Sequence, residues 1–262
     1  MPSYNRVVTR YDNGITEVVD YEFSLEYWYK RFSHHEEKSK SNGRVKLGRK
    51  KDKKSDFKVN NVLKNCYRAK KKITSLCNNN HNTLDKFITL TFADTYTESD
   101  IKQANYLFKK FIQRLNYQMS KKIENFKLEY LVVPELTKAG AIHYHMLCNL
   151  PYVDIKYLQT IWNYGIIYIN KIWEIKNVAA YISSYIDKDF GFSLSGSKHF
   201  FKSSGIKYPI PEKIMSNEDT SNYDIDNLTY TSLNENFYCG QVQTRIYDIN
   251  SRWEWKEIFY VR

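Results

Sequence analysis

The chain holds no apolar run near the roughly 18 residues that a membrane-crossing helix needs. Its opening residues, Met1-Pro2-Ser3-Tyr4-Asn5-Arg6, lead into no apolar stretch of the secretory kind. Cysteine is sparse, and Cys66, Cys77, Cys148 and Cys239 are scattered with no C-x-x-C pair among them. That spacing argues against a disulfide framework or a zinc knuckle and for free thiols in a reducing compartment. A cytoplasmic protein is therefore expected. No Gly-x-x-x-x-Gly-Lys-Ser/Thr occurs, so no nucleotide-hydrolysing domain of that class is visible.

Acidic residues are the minority, 29 against 40 Lys and Arg, for a formal net charge of +11 over 262 residues. From Lys38 to Lys72 there are fifteen basic residues and only Asp52 and Asp56, a net of +13, so the remainder of the chain is slightly acidic. The first part of this segment, Lys38 to Lys54, is rich in Gly, Ser and Lys and is expected to be flexible. The second, Val59 to Leu76, has a helical period along Val62, Cys66, Ala69, Ile73 and Leu76. Lys64, Arg68, Lys70, Lys71 and Lys72 surround that stripe, a set suited to phosphate backbone of nucleic acid. A run that merely aids solubility is the plain alternative.

Asp12-Asn13-Gly14 is a tight-turn signal, predicting a hairpin near the start of the chain. Phe87 to Phe92 alternates with threonine and should be a central strand. Thr97-Glu98-Ser99-Asp100 fits a capping box before an amphipathic helix. Ile101, Ala104, Leu107, Phe108, Phe111, Ile112 and Leu115 form its inner face, with Lys102, Lys109, Lys110 and Arg114 outward. Strands near 128–135 and 141–149, a short helix near 154–162, a strand near 165–172 and a helix from Asn177 follow. The order β-α-β-β-α-β-α implies an α+β fold, a mostly antiparallel central sheet with helices packed on it. Ser216 to Asn236 reads as a polar loop, and Gln241 to Arg262 as a β-prone stretch returning to pair with the N-terminal hairpin. The expected divisions are a basic N-terminal extension at 1–58, a central domain at 59–210 and a C-terminal extension at 211–262.

Within the central part, Ala141-Ile142-His143-Tyr144-His145-Met146-Leu147 is an apolar strand bearing two histidines one residue apart. Alternation along a strand points both imidazoles to one face and Tyr144 to the other. Glu135 ends the preceding apolar run, and Thr137-Lys138-Ala139-Gly140 reads as a hairpin connection that would bring it opposite the histidines. Two imidazoles and a carboxylate suit Mg²⁺, Mn²⁺ or Zn²⁺, and the donor list alone does not choose. Asn177 is an N-cap candidate; beyond it Tyr181, Tyr185 and Lys188 share one helix face, while Val178, Ile182 and Ile186 form a separate packing stripe.

These residues, taken in order, resemble the HUH endonucleases, specifically rolling-circle replication initiators of bacterial plasmids and single-stranded DNA phages. Phe87-Ile88-Thr89-Leu90-Thr91-Phe92 is similar to the family's first strand motif, His143-Tyr144-His145 to its histidine-hydrophobe-histidine signature. Tyr181 to Lys188 is similar to the two-tyrosine form Tyr-x-x-x-Tyr-x-x-Lys, and Lys198 to Pro209 also fits this group. Ser184 departs from it, standing where members often carry lysine. The resemblance spans roughly residues 60 to 210. It implies a divalent ion, Mg²⁺ or Mn²⁺, on His143, His145 and Glu135, and Tyr185 or Tyr181 as the nucleophile that nicks single-stranded origin DNA. Lys188 would steer the phosphate. The products would be a 5′-phosphotyrosine and a free 3′-hydroxyl in a bacterial host cell, with helicase and polymerase supplied separately. A zinc hydrolase would share the histidines but make no protein–DNA adduct. A non-catalytic DNA-binding protein would retain DNA without cutting it.

Overall fold

The computed structural model describes residues 4–24, 54–93, 101–137, 140–172, 177–186, 198–215, 225–236 and 239–249. Two compact units divide the chain, one from its terminal segments and one from Lys51–Tyr208.

The terminal unit is a five-stranded antiparallel sheet. Its strands are β1 (Arg6–Arg10), β2 (Ile15–Tyr21), β8 (Glu212–Ile214), β9 (Leu228–Asn236) and β10 (Gly240–Asp248), in the order β8-β1-β2-β10-β9. The predicted hairpin is β1–β2, and Gly14 takes a φ of +84° in its turn, where a side chain would be strained. The expected return of the C-terminal stretch is the β2–β10 pairing, Tyr21 opposite Val242 through Ile15 opposite Asp248. Val8, Val18 and Tyr247 form a small core with Ile214 and Leu228 against it. One expectation is corrected here: Leu228–Asn236 is a strand, not part of a loop. Its side chains are mostly exposed and polar, so it carries no alternating apolar signal; backbone pairing with β10 holds it.

The central unit runs α1 (Lys54–Asn78), β3 (Lys86–Thr91), α2 (Ile101–Ser120), β4 (Tyr130–Leu136), β5 (Ile142–Cys148), α3 (Ile155–Trp162), β6 (Ile167–Lys171), α4 (Val178–Ser184) and β7 (Phe201–Lys202). Its strands pair antiparallel in the order β6-β3-β5-β4-β7. From β3 to α4 the order is the predicted one, and the whole is an α+β fold with a central sheet. The sheet's inner strands are buried on both faces. On one face Ile88, Leu90, Val132, Tyr144 and Met146 meet Leu107, Phe108, Phe111 and Leu115 of α2 and Leu158 and Trp162 of α3. On the other, Phe87, Leu131, Val133 and Leu147 meet Cys66, Ala69, Ile73 and Leu76 of α1 and Ala179 and Ile182 of α4.

The loop after β7 ties the two ends of this second layer together. Asn80, just past α1, gives and accepts hydrogen bonds at Lys207 (2.8 and 3.0 Å), while Ser203 donates its backbone N–H to Tyr130 at 2.9 Å. Two further expectations change. Arg114 does not face solvent: it donates to the carbonyls of Ile161 (2.9 and 3.1 Å) and Trp162 (3.3 Å) and so caps the end of α3. The helix from Asn177 stops at Ser184, leaving Tyr185 at its C-cap. The Ser183 and Ser184 hydroxyls donate back to Ala180 and Tyr181, competing with a further helical turn. The capping box at Thr97–Asp100, the Lys38–Lys53 stretch and Lys188 lie outside the described residues. All four cysteines are buried, and none is in a disulfide. Among the described residues no helix is long and apolar enough to cross a membrane.

Candidate active site

Hairpin closure sets the first part of the site. Gly140 takes a φ of +81°, Thr137 and Ala141 are hydrogen-bonded across the turn, and the register places Glu135 directly opposite His143. Strand alternation then buries Tyr144 in the α2 layer, its hydroxyl donating to Asn105 at 2.7 Å, and sends both histidines to the other face. There Glu135 Oε2 lies 2.7 Å from His145 Nε2. One donor atom from each of Glu135, His143 and His145 falls within 4.8 Å of the others.

This donor set fits a divalent cation. Metal–nitrogen and metal–oxygen bonds of about 2.0–2.2 Å put neighbouring ligand atoms about 3 Å apart and opposite ones about 4 Å apart. His143 has its pKa lowered, chiefly by burial and further by His145, with Glu135 pulling the other way. It is therefore neutral near pH 7, as a ligand must be.

β3 supplies a residue to which the sequence reading gave no role. Thr89 pairs with His145 across the β3–β5 ladder, and its Oγ1 sits 3.1 Å from Nδ1 of that imidazole. Both ring nitrogens of His145 are thus engaged, one by a hydroxyl and one by a carboxylate. A hydroxyl can give or take a proton, so Thr89 accommodates either tautomer. With Nδ1–H donating to Thr89, the Nε2 lone pair is free for a cation held jointly with Glu135. The signal was present as Thr89-x-Thr91 facing His145-x-His143, but only strand pairing across an intervening helix and strand reveals it. The end of β3 is held close by its neighbours: Trp162 Nε1 donates to Thr91 O at 2.9 Å, and a Cβ added to Gly165 would collide with that same carbonyl.

α4 brings the aromatic half. Asn177 accepts from Ala180 N at 2.9 Å as the predicted N-cap, and Ala179 and Ile182 anchor the helix in the core. Tyr185 lies flat on His145, ring centroids 3.5 Å apart and planes 11° apart. Tyr181 packs on Phe87 at 5.0 Å and stands edge-on to Tyr185 at 5.3 Å. The Tyr185 phenol is pushed well above its ordinary pKa by burial first, then by its hydrogen bond to Tyr181, with the charge of Glu135 adding to the shift. At neutral pH it is a proton donor and needs activation to act as a nucleophile.

The structure therefore gathers Glu135, His143, His145, Tyr185 and Tyr181 on one face of the sheet. Lys64, Arg68, Lys70, Lys71 and Lys72 are exposed along α1, in the helical layer that covers this face.

A family model described as "Replication-associated protein ORF2/G2P" matches residues 85–190, from the start of β3 to just beyond α4. No curated protein and no solved structure matches the chain.

Proposed function

We propose that this protein initiates replication by nicking single-stranded origin DNA through tyrosine transesterification. The observation that carries the reading is the stack of Tyr185 on His145, whose imidazole also binds Glu135. A nucleophile from a helix and a ligand set from a sheet meet at one point. The match of residues 85–190 to a replication-associated family covers all five residues.

Glu135, His143 and His145 would hold Mg²⁺ or Mn²⁺, which supplies Lewis-acid neutralisation of a nonbridging phosphate oxygen. Tyr185 loses its phenolic proton and attacks phosphorus. The Tyr185 oxygen–phosphorus bond forms, the bond to the 3′ oxygen breaks, and that oxygen takes up a proton. The products are a 5′-phosphotyrosine and a 3′-hydroxyl that primes synthesis. Because one phosphoester replaces another, the step needs no nucleotide cofactor. Tyr181, beside Tyr185, serves the second cleavage. Lys64, Arg68, Lys70, Lys71 and Lys72 bind backbone phosphates independently of sequence. Lys188 steers the phosphate, and helicase and polymerase come from elsewhere.

The test incubates the chain with Mn²⁺ and single-stranded oligonucleotides tiled across the replicon that encodes it, and looks for a covalent adduct on a denaturing gel. Tyr185→Phe or Tyr181→Phe should weaken the adduct and the double change should abolish it. An adduct that survives the double change would falsify the nucleophile assignment. His143→Ala with His145→Ala should end cleavage but preserve salt-sensitive DNA retention.

A further inference from the structure

The outer surface of α2, on the side of the sheet away from the histidines and tyrosines, has no part in the chemistry above. Its twenty residues include no Asp or Glu. Lys102, Lys109 and Lys110 are exposed, and Lys121 and Lys122 extend the row past the helix end. Two tyrosines punctuate it: Tyr106, 53% exposed, and Tyr117, 59% exposed. Lys110 Nζ lies 5.4 Å from the centre of the Tyr106 ring, and Lys121 Nζ lies 4.1 Å from that of Tyr117. The two pairs are eleven residues apart. At about 1.5 Å rise and 3.6 residues per turn, that is three turns and about 16 Å along one face.

We infer that this row is a second nucleic-acid surface that binds the backbone of duplex DNA, separate from the site face. An exposed lysine ordinarily loses rotamer freedom when it engages a phosphate. Laying the ammonium against a tyrosine ring restricts it beforehand, so less freedom remains to be lost. An acid-free helix with exposed lysines, two of them held against tyrosine rings, matches a regular polyanion; B-DNA carries about one charge per 1.7 Å of axis. The strand being cut would lie over the histidines, on the opposite face, so the row meets flanking duplex instead. The contacts are lysine to phosphate, and the binding is sequence-independent.

The experiment measures binding of a fluorescent 30-base-pair duplex of arbitrary sequence by anisotropy, from low to moderate salt, without divalent metal. The variant combines Lys102→Gln, Lys109→Gln, Lys110→Gln and Lys121→Gln, changes that keep good helix formers on an exposed face. Its slope of log affinity against log salt should be shallower by about 3 to 4, at about 0.9 per phosphate contact. Arginine at the same four positions should restore the slope. Adduct formation on a short single-stranded oligonucleotide should be unchanged in both variants, and duplex retention does not depend on whether Tyr185 is the nucleophile. An unchanged slope overturns the inference and leaves the row to an acidic protein or to solvent. A slower reaction on the short oligonucleotide also overturns it, because the two surfaces would then not be separate.

Discussion

Replacing Thr89 by valine tests the proposed site through a residue that is neither a proposed metal ligand nor a proposed nucleophile. Valine keeps the shape and the β-branch, so β3 should form as before. Only the hydroxyl 3.1 Å from His145 Nδ1 is lost. The imidazole is nearly buried, with 6% of its side chain exposed, and solvent cannot replace the missing partner. Leaving that nitrogen unsatisfied costs about 1–3 kcal/mol. The separate effect falls on metal affinity. A histidine ligand whose second nitrogen loses its partner binds metal about 10–100-fold more weakly, about 1.4–2.8 kcal/mol. The assay titrates Mn²⁺ and reads the free ion by electron paramagnetic resonance, beside a thermal melt of the metal-free protein. Thr91→Val is the control. Thr91 Oγ1 is bound to the Ile166 backbone at 3.0 Å, so its loss should lower the melting temperature more than the Mn²⁺ affinity. Thr89→Val protein that binds Mn²⁺ as the parent does would refute the role given to Thr89 and weaken the case for His145 as a ligand.

Arg114→Met keeps the stem but removes the guanidinium from the end of α3, and should cost about 2–3 kcal/mol in urea unfolding; an unchanged midpoint would mean that the capping contributes nothing. Gly165→Ala forces a methyl against the Thr91 carbonyl, which cannot swing aside as a side chain could. It should destabilise by about 1–3 kcal/mol and also weaken Mn²⁺ binding, because Thr91 pairs with His143. Equal affinity with a lower melting temperature would uncouple the strand end from the site. Burial pushes the Cys77 and Cys148 thiols up to about 12. Folding thus favours their protonated form. The stability this gives is present below the unfolded thiol value of about 8.5 and is lost as pH rises toward 12, by up to about 1.4 kcal/mol per unit for each thiol. Urea midpoints should fall between pH 8.5 and 10, and fall less in a Cys77→Ala, Cys148→Ala protein; parallel declines would remove the thiols as the cause.

What could be read from the chain beforehand was local. The β4–β5 hairpin announces itself through two apolar runs and a short turn, and with it comes Glu135 opposite His143. The α2 stripe is equally plain, because Ala104 through Leu115 repeat at helical spacing. Two features were hidden because a partner lay far off in sequence. Read from its own helix alone Arg114 points outward, yet its guanidinium meets carbonyls some forty-seven residues on. Thr89 and His145 are 56 residues apart, and no pattern within either strand joins them. Helical periodicity carried α4 past Ser184, since spacing says nothing of serine hydroxyls that turn back on the backbone.

The terminal sheet constrains how the molecule is made. β1 and β2 leave the ribosome well before β8 and β10, the strands that pair with them. At about 5–20 residues per second the first hairpin waits about 10–40 seconds for the strands that flank it. Everything from Lys51 to Tyr208 has emerged by then. Biogenesis thus follows an inside-out schedule, in which the intervening segment can acquire its shape while the first hairpin still lacks the strands that flank it.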